Sequence, residues 1–307
     1  MLADGGELSI ETMNRRAATI GFFDGVHRGH LFLINQMCSL AKERGMESVI
    51  ITFDRHPREV IHSDYVPQLL SSPTEKLLLL RQSGADHVEV LHFTLEMSQW
   101  SASTFMKDVL RKQLDISLLV MGYDHRFGHD GGSHEDYIRW GRECGIDVVL
   151  AHELKGEKVS SSRIRSLLRS GLLAEANAML GYDYSLSGIV VKGYQIGRNL
   201  GFPTANLQVS PSKLLPLDGV YAGRVQLQGG GGTCPAVLNI GRRPTMQNGE
   251  DISVEAHLLH FSGNLYGQEV RVELTARLRD EVQFASTDEL KLQIQKDADR
   301  ALRLFER

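Results

Sequence analysis

Residues 21–30 read Gly21-Phe22-Phe23-Asp24-Gly25-Val26-His27-Arg28-Gly29-His30. The β-rich run Ala18–Phe22 leads into this stretch. Beyond it, His30–Arg44 carries apolar residues at Leu31, Ile34, Met37, Cys38 and Ala41, near helical spacing, and stops at Gly45. The ten residues therefore turn a first strand into a first helix. A helix N-terminus offers unpaired N–H groups and a partial positive charge, which favours a phosphate. His27 and His30, three residues apart on the first turn, add donors on one side, and Gly25 and Gly29 admit a ligand close to the backbone. By themselves the two histidines are equally compatible with a metal pair or with surface imidazoles.

Working outward, the runs Ser48–Phe53, Asp86–Leu91, Ile116–Met121 and Ile146–Leu150 alternate with longer helical patterns. That alternation predicts parallel βαβ units and an α/β fold, with ligands at the C-terminal strand ends. Ser160–Arg169 and Leu172–Leu180 read as short helices joined at Gly171, closing a first domain over residues 1–183. The pattern then changes to strands at Ser185–Val191, Val220–Gln228, Thr233–Ile240, Ser253–His260 and Glu269–Leu278. These predict a closed antiparallel barrel over 184–307, with Gly229–Gly232 as a hairpin tip. A last helix from Ser286, with a capping box to Glu289, presents Leu290, Ile294, Ala298, Ala301, Leu302 and Phe305 on one face for docking on the barrel. The length of 307 residues agrees with two domains.

The formal charge is −4, from 34 basic and 38 acidic residues, which gives no footprint for a nucleic-acid backbone. Ten of the twelve histidines precede residue 184. Cys38, Cys144 and Cys234 are too scattered for a metal site or a disulfide framework. No run approaches a membrane span and the start MLADGGELSIE lacks signal-peptide character, so the expected location is cytoplasmic, without membrane or nucleic-acid partners.

The 21–30 segment closely resembles the HxGH signature of cytidylyltransferase-like nucleotidyltransferases. In its GxFDGxHxGH form it resembles the adenylyltransferase half of the prokaryotic bifunctional riboflavin kinase and FAD synthetase family. Thr52-Phe53-Asp54-Arg55-His56-Pro57 resembles that family's TFDPHP, with Arg55 for the usual proline. Gly122-Tyr123-Asp124-His125-Arg126-Phe127-Gly128 resembles GxDFxFG, with His125 where Phe is common, and Val159-Ser160-Ser161-Ser162-Arg163-Ile164-Arg165 resembles the ISSTRIR loop. The resemblance implies a Rossmann-like nucleotidyltransferase domain. In it ATP and its phosphates meet Gly21, Phe23, Asp24, Gly25, His27, His30, Ser160, Ser161, Ser162 and Arg163, with His27 and His30 catalytic. Asp54, His56, Pro57 and Asp124 would lie on the FMN side. Without the resemblance, His56 caps a turn, Asp124 is a loop acid and Ser160–Ser162 cap a helix.

In residues 188–207, Gly193, Gly197 and Gly201 alone are compatible with barrel turns. No GxxxxGK[ST] occurs in the chain, so a kinase here is not a P-loop enzyme. The run GRNLGFPTAN, 197–206, matches the GRxLGFPTAN signature of riboflavin kinases. Further matches are 219–223, 239–245, Val254–His257, Leu265–Gly267 and Leu278–Glu281. The resemblance implies a small β-barrel kinase with a C-terminal helix, ATP held by Gly197, Arg198, Gly201, Thr204 and Asn206, and Mg²⁺ on Thr204 and Asn206. Asn239 and Arg279 would meet the flavin. On strand 252–260, Ile252, Val254, Ala256 and Leu258 share one face and Ser253, Glu255 and His257 the other. Glu255 there is either a solvated carboxylate or, by resemblance, the general base.

The implied function is phosphorylation of riboflavin to FMN by the barrel and adenylylation of FMN to FAD by the first domain, with riboflavin, FMN and ATP as partners. Alternatives are retention of one activity, a flavin-binding protein without turnover, or another nucleotidyltransferase substrate such as pantetheine phosphate.

Overall fold

The computed structural model describes residues 15–61, 64, 66–156, 158–193, 197, 200–227, 232–242 and 252–306. Arg198, His62, Gly229–Gly231 and the 243–245 part of the barrel motif lie outside them. The described residues group into two compact units. One holds those of Met1–Phe22, Leu31–Ile61 and Leu80–Leu154; the other holds Phe23–His30, His62–Leu79 and Lys155–Arg307. This grouping cuts the chain differently from a single boundary near 183, because two short inserts and the helices after residue 160 group with the barrel.

In the first unit, β1 (Arg16–Ile20), β2 (Glu47–Phe53), β3 (His87–Leu91), β4 (Ile116–Met121) and β5 (Asp147–Leu150) form a parallel sheet ordered β3-β2-β1-β4-β5. The five strands expected from the sequence are all present, with ends within two residues. The near-continuous buried runs of the three central strands, β1, β2 and β4, are what a sheet covered on both faces requires. Ala18, Ile20, Val49, Ile51, Leu119 and Met121 are buried with Met106, Leu110 and Tyr137. The helices are α1 (Arg28–Glu43), α2 (Pro57–Ile61), α3 (Pro73–Arg81), α4 (Leu95–Ser98), α5 (Ala102–Phe105), which runs into a π-helical stretch Met106–Gln113, and α6 (His134–Cys144). The order reverses beside β1, so the C-terminal ends of β1 and β4 form a topological switch point, where open α/β sheets bind ligands.

In the second unit, α7 (Ser161–Arg169) and α8 (Leu173–Leu180) precede the barrel strands β6 (Tyr184–Val191), β7 (Ala205–Val209), β8 (Gly219–Leu227), β9 (Thr233–Arg242), β10 (Ile252–Leu258) and β11 (Glu269–Arg279). The barrel closes antiparallel in the order β10-β7-β6-β11-β8-β9. The sequence pattern predicts five strands, and the structure adds a sixth, β7. Its run, Ala205–Val209, is short and carries Asn206 and Gln208, so it reads as loop, yet it pairs with both β6 and β10 and completes the closure. Leu70, Ile164, Leu168, Met179 and Leu180 share one core with the barrel's Tyr184, Leu186, Tyr221, Leu238 and Val254.

The last helix, α9 (Thr287–Phe305), has Ser286 as its N-cap, accepting from the Glu289 N–H at 3.2 Å. The Glu289 carboxylate accepts from the Ala285 N–H at 3.2 Å rather than from Ser286, a one-residue departure from the expected capping box. Ala298 and Ala301 are buried against Val220, Val237 and Leu278.

Candidate active sites

The turn after β1 is held in a costly backbone conformation. Phe23 and Val26 have φ of 56° and 37°, a region a β-branched residue adopts only when its surroundings force it. Gly25 lies between them at φ 77°, and a Cβ there would stand 2.9 Å from that of Leu70. Asp24 ties the turn down. Its Oδ1 accepts from the N–H groups of Leu70 and Ser71 at 2.8 and 3.2 Å, and its Oδ2 pairs with Arg165 Nη1 at 2.7 Å. Burial pushes the Asp24 carboxyl up from its ordinary pKa, opposed by the Arg165 charge and these N–H groups. The Gly25 N–H donates to Ser71 Oγ at 3.0 Å, and Tyr182 donates its hydroxyl to the Gly25 carbonyl at 2.6 Å.

Before α1, His27 Nδ1 accepts from the His30 N–H at 3.3 Å. The His27 and His30 rings stack with centroids 3.6 Å apart, and Phe23 lies edge-on to His30 at 5.2 Å. Gly21 continues the strand, donating to the Ile51 carbonyl at 3.0 Å. Ser160 is the N-cap of α7, its hydroxyl accepting from the Arg163 N–H at 3.3 Å. Ser161 donates to the Asp24 carbonyl at 3.0 Å, so the N-termini of α1 and α7 converge on one turn. Ser162 Oγ accepts from Arg165 at 3.1 Å, and Arg163 reaches the Lys158 carbonyl at 3.4 Å from an exposed position. Two helix ends at one place concentrate donors and positive potential for phosphates despite the chain's net negative charge.

The residues expected on the FMN side stand in the first unit. Asp54 Oδ1 accepts from the Phe93 N–H at 3.0 Å, and Oδ2 lies 2.5 Å from His92 Nδ1. Burial works against the Asp54 carboxylate, but these two bonds outweigh it and hold its pKa below the ordinary value. His56 Nδ1 accepts from the Arg58 N–H at 3.2 Å and its ring stands edge-on to Phe22 at 4.8 Å. With Pro57 at the first position of α2, His56 thus acts as a cap. Asp124 is exposed on the turn after β4. The neighbouring His125 is half-buried with Nε2 unpartnered among the described residues, and burial lowers its pKa to about 4, the Asp124 charge opposing.

On the barrel, Glu255 on β10 stands opposite Asn206 on β7 and Asn239 on β9. Thr204 donates to Glu255 Oε2 at 3.3 Å. His257 Nδ1 lies 2.8 Å from the Pro203 carbonyl, pinning the 202–204 turn to β10. Asn206 is buried, and a Cβ on Gly193 would come within 2.3 Å of its amide, so only glycine fits there. Gly197 accepts from the N–H groups of Leu200 and Phe202 at 3.1 and 2.8 Å, closing the turn that contains Gly201. Thr204 Oγ1 and the Asn206 side-chain oxygen are hard neutral ligands that suit a magnesium ion arriving with nucleotide phosphates, which needs few protein oxygens. Asn239 donates to Glu281 at 2.8 Å. Arg279 is committed to Asp297 of α9, through Nε at 3.0 Å and Nη2 at 2.8 Å, and lies over Phe284. Arg165, Ser71, Tyr182, His92 and Glu281 are contacts to site residues for which motif reading assigned no role.

A family model described as FAD synthetase matches residues 9–163, and one described as riboflavin kinase matches residues 180–305. The bifunctional riboflavin kinase/FMN adenylyltransferase of Escherichia coli (strain K12) is 37% identical over 293 residues, covering 94% of this chain and 92% of the relative. That of Bacillus subtilis (strain 168) is 33% identical over 302 residues, 96% and 94% of the two chains. The crystal structure of a macrolide-efflux protein from Streptococcus pneumoniae superposes with a TM-score of 0.83 at 29% identity, over 93% of each chain. Among the described residues here, no helix is long and apolar enough to cross a membrane.

Proposed function

The chain belongs to the bifunctional riboflavin kinase/FMN adenylyltransferase family, and from the geometry above we propose how its residues divide the work. It is an enzyme with two activities: ATP-dependent phosphorylation of riboflavin to FMN, and transfer of AMP from ATP to FMN, giving FAD and pyrophosphate. The functional modules are residues 1–183 for adenylyl transfer and 184–307 for the kinase.

In the kinase, the ribityl hydroxyl of riboflavin is a poor nucleophile until its proton is accepted. Glu255, oriented by the Thr204 hydroxyl, takes that proton as the oxygen attacks the γ-phosphorus and ADP leaves. A positioned carboxylate contributes on the order of 10²- to 10⁴-fold in such steps. Thr204, Asn206, Gly197 and Gly201 hold the nucleotide phosphates and Mg²⁺, which supplies charge neutralisation when bound. Arg279, fixed by Asp297, borders the flavin with Asn239.

In adenylyl transfer the nucleophile is a phosphate oxygen of FMN, already anionic, so no base is required. The new bond joins that oxygen to the α-phosphorus of ATP, and the bond to the β-phosphate oxygen breaks. The residues' task is to align two repelling anions and to stabilise charge gathering on the leaving pyrophosphate. His27, His30, the N–H groups at the starts of α1 and α7, Ser161 and Arg163 do this, while Asp54, His56 with Pro57, and Asp124 border the FMN side. The three cysteines are free thiols, in keeping with a reducing cytoplasm.

The observation that carries the reading is the pairing of Thr204 with Glu255 beside Asn206 in one unit that also holds the converging ends of α1 and α7. Incubation with riboflavin, ATP and Mg²⁺, with separation of the flavins, should give FMN and then FAD. FMN accumulating without FAD would overturn the adenylyl-transfer assignment.

A further inference from the structure

Asp24 and Gly25 are not held by their own neighbours in sequence. Beside Arg165, Ser161 and Tyr182, they are clamped by the segment Leu69–Lys76, which is itself fastened to the barrel half of the chain. The Leu69 N–H donates to the Ser212 carbonyl at 2.7 Å, and the Leu214 N–H donates to the Leu69 carbonyl at 2.8 Å. Between these two bonds, Lys213 turns its ammonium inward, donating to the Leu70 carbonyl at 2.5 Å and to Glu75 Oε2 at 2.7 Å, 4.4 Å from the centre of the Tyr184 ring. Lys213 and Glu75 are only 4% and 5% exposed. Glu75 completes its shell with the Ser72 N–H at 2.8 Å and with the hydroxyl of Ser187 on β6 at 2.8 Å. A dry ion pair with its remaining valences filled is rigid, since neither charge has water to turn to.

One continuous path therefore runs from Ser187 and Lys213, through Glu75 and the Leu70 carbonyl, to the Leu70 and Ser71 groups that grip Asp24 and Gly25. The object gripped is the turn whose residues Phe23 and Val26 sit at positive φ. Strain of that kind persists only where surrounding structure over-determines the backbone. His27 and His30 follow directly, and their placement is fixed by this turn.

We propose that Lys213 and Glu75 are positioning residues for adenylyl transfer, so that FAD formation depends on a lysine from the kinase half of the sequence. This rests on the reading of 21–30 as the adenylyl-transfer site. Neither residue touches substrate; they set the register of the turn that does. Misplacing a binding turn by about 1 Å can cost on the order of 10²-fold, so the expected loss is in turnover more than in flavin affinity.

The test uses the full-length protein and compares wild type, Lys213→Met, Lys213→Met/Glu75→Gln, Ser71→Ala, Ser71→Thr and His30→Ala. FAD formation from supplied FMN and FMN formation from riboflavin are measured on each preparation. The Lys213→Met and double variants should lose about 10- to 100-fold in kcat for FAD formation, with KM for FMN and the kinase kcat little changed. Ser71→Ala, which removes one hydroxyl and leaves the ion pair intact, should lose less in the same parameter, and Ser71→Thr should restore it. Equal falls in both activities would mark Lys213 as general scaffolding and overturn the proposal, as would unchanged FAD formation in the double and Ser71→Ala variants. If Lys213→Met yields no folded protein, those two variants decide the matter. His30→Ala separates the premises: FAD formation surviving it refutes the site assignment, whereas its loss beside intact Ser71→Ala and double variants refutes positioning alone.

Discussion

His125 occupies a position where the family commonly has phenylalanine, and the structure gives the exchange a measurable energy. The imidazole is half-buried, with Nε2 unpartnered among the described residues, and its pKa falls from the ordinary 6.5 to about 4. A base whose folded pKa lies below its unfolded one takes up a proton on unfolding in the window between them. The native state is therefore favoured fully above pH 6.5, and that advantage is lost as pH drops towards 4. At about 1.4 kcal/mol per pH unit, the wild type should lose about 2.5 kcal/mol between about pH 7.5 and pH 4.5 through this one group. His125→Phe should abolish that component. It should also add about 1 kcal/mol at neutral pH by removing a buried nitrogen that lacks a partner. Urea unfolding of both proteins across this range measures the difference, and a histidine NMR titration, with the variant identifying the resonance, measures the pKa itself. Parallel stability losses in the two proteins, or a His125 titration near 6.5, would refute the reasoning. Because the ring is neutral at pH 7, it lends no positive charge to FMN, and the variant should keep FAD synthesis.

Glu255→Ala should lower FMN formation on the order of 10²- to 10⁴-fold and leave FAD formation from FMN intact, while His30→Ala should do the reverse; paired flavin assays read both. Asp297→Asn removes the carboxylate that holds Arg279 through two nitrogens, and should destabilise the docking of α9 by about 2 kcal/mol. Thermal unfolding would register that loss, together with a rise in KM for riboflavin and little change in KM for FMN.

The strand-turn-helix at 21–30, the parallel sheet and the barrel were legible because each depends on local pattern: strand runs broken by helical spacing, then alternating strands between turns. The alternation on β10 placed Glu255 on the face opposite the buried Val254 and Ala256, as found. β7 was not legible, since five residues with two polar side chains carry no strand signal without the neighbours on either side. Nor was the engagement of Asp54 with His92, or of Arg279 with Asp297, where the motif names a residue but not its partner.

The sequence by itself therefore determined which residue patterns the chain holds, because the glycine-bearing turns and an outward-facing carboxylate on a strand are written in contiguous residues. Tertiary structure alone decided what holds those turns in place. Lys213 meets Glu75 across 138 positions of sequence, and no spacing rule connects residues so far apart. Burial supplies the connection: once both charges are out of water, each must find the other or a backbone partner, and the turn bearing His27 and His30 is fixed as a result.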